Sequence, residues 1–324
     1  MTRVIVRLLL RRLIGAVPLV FAVVALTFFV IRLAPGDPAV ILAGEAPTPE
    51  FLAQVRAENG LDKPVWQQFL TFLGHAATGD FGRSIYAGRP VFDVILERVP
   101  ATALLAGTAM LLASVAGVLL GVASAKRAGT TGDAAISALS LLGTSVPSFW
   151  IGQLLILLFA VWLGWLPVSG MVAPRARYVG FAHIWDVAIH MILPVTTLAV
   201  YLVTLIARFT RTAMIEAMSQ DFILVTRAKG VSARAILWHH AFRNAVVTTI
   251  TVIGLEFGAV LAGAVVVEIV FGWPGLGRLF YDAIYRRDFP LLTGSFMFSA
   301  LVVIAMNTLS EIACAMLDPR LRDG

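Results

Sequence analysis

The densest set of chemically able side chains runs from Asp221 and Phe222 to Arg227, Ala228, Lys229 and Gly230, and continues at His240, Arg243 and Asn244. Charges of both signs around an apolar phenylalanine leave two readings open. The run is either a solvated loop whose basic residues only fix orientation in a membrane, or a helical knob offered to a soluble partner. Glu256 is the second place where chemistry is possible. An acid near the middle of a long apolar run is expensive in hydrocarbon, so it faces a pathway or partner, or sits neutral or hydrogen-bonded in a bundle core. The third place is Ser145-Val146-Pro147-Ser148-Phe149-Trp150, where proline frees a backbone carbonyl that hydroxyls or water must satisfy. Ser145, Pro147 and Ser148 are therefore candidate pathway residues, with plain packing as the other explanation.

The groups that bond-making chemistry needs are missing. No Gly-x-x-x-x-Gly-Lys-Ser/Thr loop occurs, and none of Lys63, Lys126 and Lys229 follows a glycine, so this chain does not supply the usual ATP site. Its 5 histidines include no His-Glu-x-x-His pair, and no Gly-x-Ser-x-Gly is present. His183 and His190 can share a helical face, but lone histidines at a membrane boundary read as hydrogen-bonded scaffolding. No catalytic residue and no metal site are assigned. The single cysteine, Cys314, lies in an apolar segment and reads as a small core residue.

Membrane helices must hold these residues. The chain is 59% hydrophobic and only 14% charged, against about a quarter charged for a soluble domain. A net charge of +6 is compatible with nucleic-acid binding, but the basic residues are scattered between apolar spans and form no stripe. A spanning helix needs about 20 apolar residues. Six segments qualify: 13–33, 102–125, 135–162, 188–207, 246–268 and 293–317. Arg3, Arg7, Arg11, Arg12, Lys126, Arg127, the basic residues from Arg208 to Arg243, and Arg320 and Arg322 then fall on one side. That side is cytoplasmic by the positive-inside rule. The first span follows a basic start but is too long for a signal peptide and lacks a small-residue cleavage site, so it reads as retained.

Local signals refine this layout. Met214, Met218, Phe222 and Val225 recur at helical spacing, which predicts one shared face. Gly230 should end that helix in the left-handed conformation, with Ser232 capping the next one. On the external side, 49–59 predicts a short surface helix, and Trp66, Phe69 and Phe72 an amphipathic stretch at a membrane interface. Gly107, Gly117 and Gly121 allow close helix approach in span two, and the turn from Ala125 to Asp133 ends with a cap for span three. Trp162 and Trp165 suit an aromatic belt. Glu268, Trp273 to Gly277 and Arg287 to Pro290 read as an interface helix and turns without evident chemistry.

The run Asp221-Phe222 to Lys229-Gly230 with His240-Ala241-x-Arg243-Asn244 resembles the coupling loop of binding-protein-dependent ABC importer permeases, in the first-permease branch of the dipeptide, oligopeptide and nickel family. Further likenesses are Arg32 to Pro38, Gly79 to Ser84 with Gly88 to Val91, Ser145-x-Pro147-Ser148-Phe149-Trp150, Trp273 to Gly277, Arg287 to Pro290, and Asp318-Pro319-Arg320. One departure is that Leu224-Val225-Thr226 stands where importers in general carry Glu-Ala-Ala, which puts the usual glutamate contact with the ATPase in question.

The resemblance implies an all-α membrane protein of six transmembrane helices, with a large external segment after the first and a cytoplasmic coupling loop between the fourth and fifth. The corresponding divisions are 1–33, 34–101 and a permease core at 102–324 containing the loop 211–245. It implies half of an ATP-driven translocation pathway for peptides or related small solutes, in the bacterial inner membrane with both termini cytoplasmic. The implied partners are a second homologous permease, two ATPase subunits that carry ATP and Mg, and an extracytoplasmic substrate-binding protein. Asp80, Arg83 and Arg89 are expected to contact that binding protein; Asp221, Phe222, Arg227, Ala228, Lys229 and Gly230 are expected to dock the ATPase. The alternative from the residues alone is an ion-gradient carrier using Glu256.

Overall fold

Apolar runs broken by glycine and proline become helices nearly throughout. The structure, a computed structural model, describes residues 2–33, 39–40, 47–58, 60–174 and 178–317. The helices are α1 (Thr2–Leu33), α2 (Pro49–Glu58), α3 (Val65–Ala77), α4 (Val91–Lys126), α5 (Thr131–Ser145) and α6 (Ser148–Leu155, continued by a π-helix over Ile156–Trp162). After these come α7 (Phe181–Met218), α8 (Asp221–Ala228), α9 (Ala233–Ala262, with a π-helical stretch at Ile236–Ala241), α10 (Val265–Val270), α11 (Leu276–Tyr285) and α12 (Phe289–Leu317). Among the described residues the only extended pairing is an isolated bridge between Arg83 and Pro90.

Four helices, α4, α7, α9 and α12, are long and apolar enough to cross a bilayer, and the α5–α6 pair makes a fifth if it counts as one span. The first expected span, 13–33, lies within α1, which runs unbroken over Thr2–Leu33. Two expected spans change shape. The third, read as one span over 135–162 broken at Pro147, bends by 97° between Ser145 and Ser148. Pro147 lacks an N–H and disfavours helical geometry at the residue before it, and Val146 is extended at φ −86 and ψ 127. The fifth, read over 246–268, stops at Ala262, where Gly263 takes φ 140. The motifs at Ala34 to Pro38 and Asp318 to Arg320 lie outside the described residues.

The core is centred on α4 and α7, with Leu105, Ala109 and Ala113 against Leu202, Ile206 and Trp273. Lipid is as apolar as these side chains, so close packing has to hold such helices together. Gly117 and Gly121 permit it: a Cβ at Gly121 would lie 2.6 Å from the Ala207 carbonyl oxygen, and one at Gly117 would lie 2.8 Å from Ile206 Cβ. Gly107, expected to act in the same way, has nothing within 4 Å of its would-be Cβ. On the flank, Phe69 and Phe72 of α3 pack on Phe28 of α1 with ring centroids 5.2 and 5.5 Å apart, while Trp66 stays exposed.

Candidate functional site

α7 ends at Met218, and α8 begins after the two-residue break Ser219-Gln220. That break divides the expected face. Met214 is fully buried, whereas Phe222 and Val225 are exposed, and the residue α8 turns inward is Ile223, 2% exposed. The four-residue spacing thus fails as a single stripe because a change of direction intervenes. Ile223 joins Ala125 of α4, Met214 of α7, and Leu237 and Ala245 of α9 in one apolar cluster. Asp221, Phe222, Arg227, Ala228, Lys229 and Gly230 all remain exposed on α8 and its exit. Gly230 adopts φ +78, as the helix-ending reading required, and Ser232 Oγ accepts from the Ala235 N–H at 3.4 Å as the following cap.

The candidate pathway residues are not gathered into one constellation. Ser145 Oγ donates to the Leu141 carbonyl at 2.8 Å, and Thr144 Oγ1 donates to the same carbonyl at 3.0 Å. Both hydroxyls bond back one turn to Leu141, whereas the carbonyl that an N–H at 147 would have paired is that of Gly143, which neither of them contacts. Ser148 is half-buried at the start of α6. Glu256 is half-buried in the last third of α9, six residues before its end, and within electrostatic reach of Tyr201 on α7. It has no hydrogen-bond or ion-pair partner among the described residues. His190 is buried, with Nδ1 2.8 Å from the Asp186 carbonyl, in keeping with a scaffold role, while His183 is exposed. No cluster of potential metal ligands occurs among the described residues.

The trio Asp80, Arg83 and Arg89 is surface-exposed, and each member is engaged locally. Asp80 Oδ1 accepts from the Gly82 N–H at 2.9 Å and Oδ2 lies 3.3 Å from His75 Nδ1; these contacts, the backbone bond first, hold its carboxyl below the usual carboxylate range. Arg83 Nη2 donates to the Gly88 carbonyl at 2.7 Å, and Arg89 pairs with Glu97 on α4. Asp80 also lines an open cleft of about 530 Å³ with Glu58, Lys63 and Phe289.

Three polar knots escaped sequence reasoning. Glu268, read as part of a loop without chemistry, is fully buried: Oε1 accepts from Thr102 Oγ1 at 2.7 Å and Oε2 from the Arg278 N–H at 3.0 Å. Beside it, Trp273 Nε1 donates to the Ala101 carbonyl at 2.8 Å, so α10 and α11 are tied to α4. Asp288 is 1% exposed and accepts from Ser84 Oγ and the Tyr86 and Leu291 N–H groups. Asp133 accepts from both Arg211 Nε and Nη2 at 2.7 Å, while the capping of α5 falls to Thr130. The only sequence signal for these knots was an acid beside an apolar run, which does not name its partner.

Long apolar helices, a proline-broken span and an exposed helical turn packed between the ends of α7 and α9 define a multi-pass membrane transport component. Residues 117–323 match the family described as binding-protein-dependent transport system inner membrane component, and residues 5–106 match the N-terminal region of such membrane components. The chain belongs to this family. A putative peptide transport system permease protein of Brucella abortus (strain 2308) is 40% identical over 315 residues, covering 97% of this chain and 98% of that protein. The di/tripeptide transport system permease protein DppB of Pseudomonas aeruginosa (strain UCBPP-PA14) is 39% identical, covering 96% and 97%; the dipeptide transport system permease protein DppB of Escherichia coli (strain K12) is 38% identical, covering 97% and 98%. The fold is similar to that of an inward-facing MetNI methionine ABC transporter chain, with a TM-score of 0.55 at 15% identity over 70% of this chain and 97% of that chain. Family membership makes the chain an inner-membrane transport component, not an enzyme, and implies an ATPase and a substrate-binding protein as partners. The ion-gradient carrier reading finds no support in any of these matches.

Proposed function

We propose that this chain is a permease subunit of an ATP-driven ABC importer for di- or oligopeptides or related small solutes, forming half of the translocation pathway. The supporting observation is end-to-end similarity to peptide permeases, at 40% identity over 97% of the chain. In this reading it pairs with a second homologous permease, two cytoplasmic ATPase subunits that bind ATP and Mg, and an extracytoplasmic binding protein. Both termini are cytoplasmic, α1 completes a set of six spans, and the functional divisions are 1–33, 34–101 and 102–324 with the coupling loop 211–245.

The exposure of α8 and of the Asp80 loop supports the following roles. α8 enters a cleft on the ATPase, with Phe222 as apolar anchor, Asp221, Arg227 and Lys229 as polar contacts, Ala228 at the contact surface, and Gly230 as the turn that aims them. ATP-driven closure of the ATPase pair moves α8, and the spans around it reorient the pathway. Ser145, Pro147, Ser148 and Glu256 belong to that pathway, and Asp80, Arg83 and Arg89 contact the binding protein. The test is mild-detergent purification of the tagged chain from its native host, with mass spectrometry of what accompanies it. Stoichiometric ATPase subunits and a second permease are the expected result. A chain that stays alone, in detergent that preserves a known importer complex, would overturn the reading.

A further inference from the structure

Asp133 and Arg211 join the bent span to the helix that carries the coupling element. The contact is side-on, with Arg211 Nε 2.7 Å from Oδ1 and Nη2 2.7 Å from Oδ2. Ser124 Oγ of α4 donates to Oδ1 at 2.5 Å and the Gly129 N–H to Oδ2 at 3.0 Å, so the carboxylate receives four hydrogen bonds. The acid is 6% exposed. Replacing the planar fork of arginine by lysine cannot reproduce this geometry. Net stabilisation is a poor explanation for such a pair, because desolvation offsets much of its attraction; fixing one element relative to another is the better-attested use.

The placement shows which elements are fixed. Of the 15 residues of α5, Asp133 alone is buried in the single chain. The rest of α5 runs along α7, with Gly143 packed closely against Thr204, and α5 then ends at the break before Pro147. Arg211, by contrast, stands on α7 just before Ala213, Met214 and Ala217, which pack into the apolar cluster holding Ile223 of α8. One end of the pin is therefore embedded in the block that carries α8. The other end holds a helix that has no other buried residue and that leads through the 97° bend into α6.

We infer that the Asp133–Arg211 pair is the pin through which displacement of the coupling block is delivered to α5 and, across the Pro147 bend, to α6. Both are positioning residues, acting through each other and through α4, α5 and α7. The inference rests on the importer reading, since the displacement originates in the ATPase.

The experiment uses the assembled complex in nanodiscs, with Cys314→Ser as background and spin labels at Leu142→Cys on α5 and Leu112→Cys on α4, positions 60% and 53% exposed. The label-to-label distance is measured without nucleotide and after trapping with ATP and vanadate. In the otherwise unchanged chain the distance should shift on trapping. In Arg211→Gln the shift should be lost while trapped nucleotide per complex stays the same, and transport per ATP should fall about tenfold, within the usual range of coupling energies. The exchange Asp133→Arg with Arg211→Asp should restore part of the shift. An undiminished shift in Arg211→Gln, or no shift in the unchanged chain, would overturn the pin. Failure of the unchanged chain to bring down any ATPase would instead remove the importer reading, and the pin with it. A variant that loses assembly and regains none of it in the exchanged pair would reduce the contact to a structural one and also overturn the inference.

Discussion

Ser84 donates its hydroxyl to Asp288 at 2.5 Å across 204 residues of chain, the donor in the turn before α4 and the acceptor at the start of α12. Two segments that each resembled permease signatures, one expected to meet the binding protein and the other without evident chemistry, are thus one structure. Arg286 adds to it by lying over the Tyr86 ring at 3.5 Å from the centroid. The loop holding Asp80, Arg83 and Arg89 is therefore anchored at the start of α12.

Asp288→Ala leaves the Tyr86 and Leu291 N–H groups and the Ser84 hydroxyl without their acceptor. Each buried unsatisfied group costs about 1–3 kcal/mol. Limited proteolysis should cut faster between 79 and 90 with helix content unchanged. An identical cleavage pattern would show that the loop is held elsewhere.

Glu268→Leu and Glu268→Gln separate shape from hydrogen bonding. Leucine strands the Arg278 N–H and removes the Thr102 acceptor, with a cost of about 3 kcal/mol; glutamine keeps one acceptor and should lose less. Thermal unfolding in detergent gives the order, and equal shifts would mean that burial alone matters.

Gly121→Leu should destabilise by about 1–3 kcal/mol, because even a Cβ there meets the Ala207 carbonyl. Gly107→Ala, in open space on the same helix, should stay within about 0.5 kcal/mol. Melting temperatures of the two variants test whether approach to α7, rather than glycine content, holds α4 in place.

Gly230→Val should abolish ATP-driven uptake while membrane insertion is kept. Nothing lies within 4 Å of a Cβ at Gly230, so the cost comes from φ +78 itself, about 1–2 kcal/mol for a residue with a side chain. Gly230→Asn, which tolerates that conformation, should retain uptake. Normal uptake by a well-expressed valine variant would sink the argument for the turn.

The Asp80 turn should respond to acid only late. Its pKa is lowered from 3.8 in the folded chain, so its contribution is complete above 3.8 and disappears as pH falls through the lower folded value. Hydrogen exchange at the Gly82 amide, corrected for intrinsic rate, should show protection at neutral pH that weakens only in strong acid. Asp80→Asn should remove that dependence.

The sequence by itself determined the membrane class, the helical content, the glycine turn at 230 and the break at 147. Apolar length, missing side chains and the missing proline N–H act within a few residues of chain, so they are legible without a fold. It also exposed the family, because the motifs that carry the likeness are contiguous. It misjudged the face of α8, since Ser219-Gln220 redirects the chain and lets Ile223, not Phe222, turn inward. Only the tertiary structure decided which acid meets which donor. Glu268 meets Thr102 across 166 positions and Asp133 meets Arg211 across 78. Such pairings depend on how α4, α5, α7 and α10 pack, and in a bilayer each buried acid needs a partner although local sequence does not specify which one.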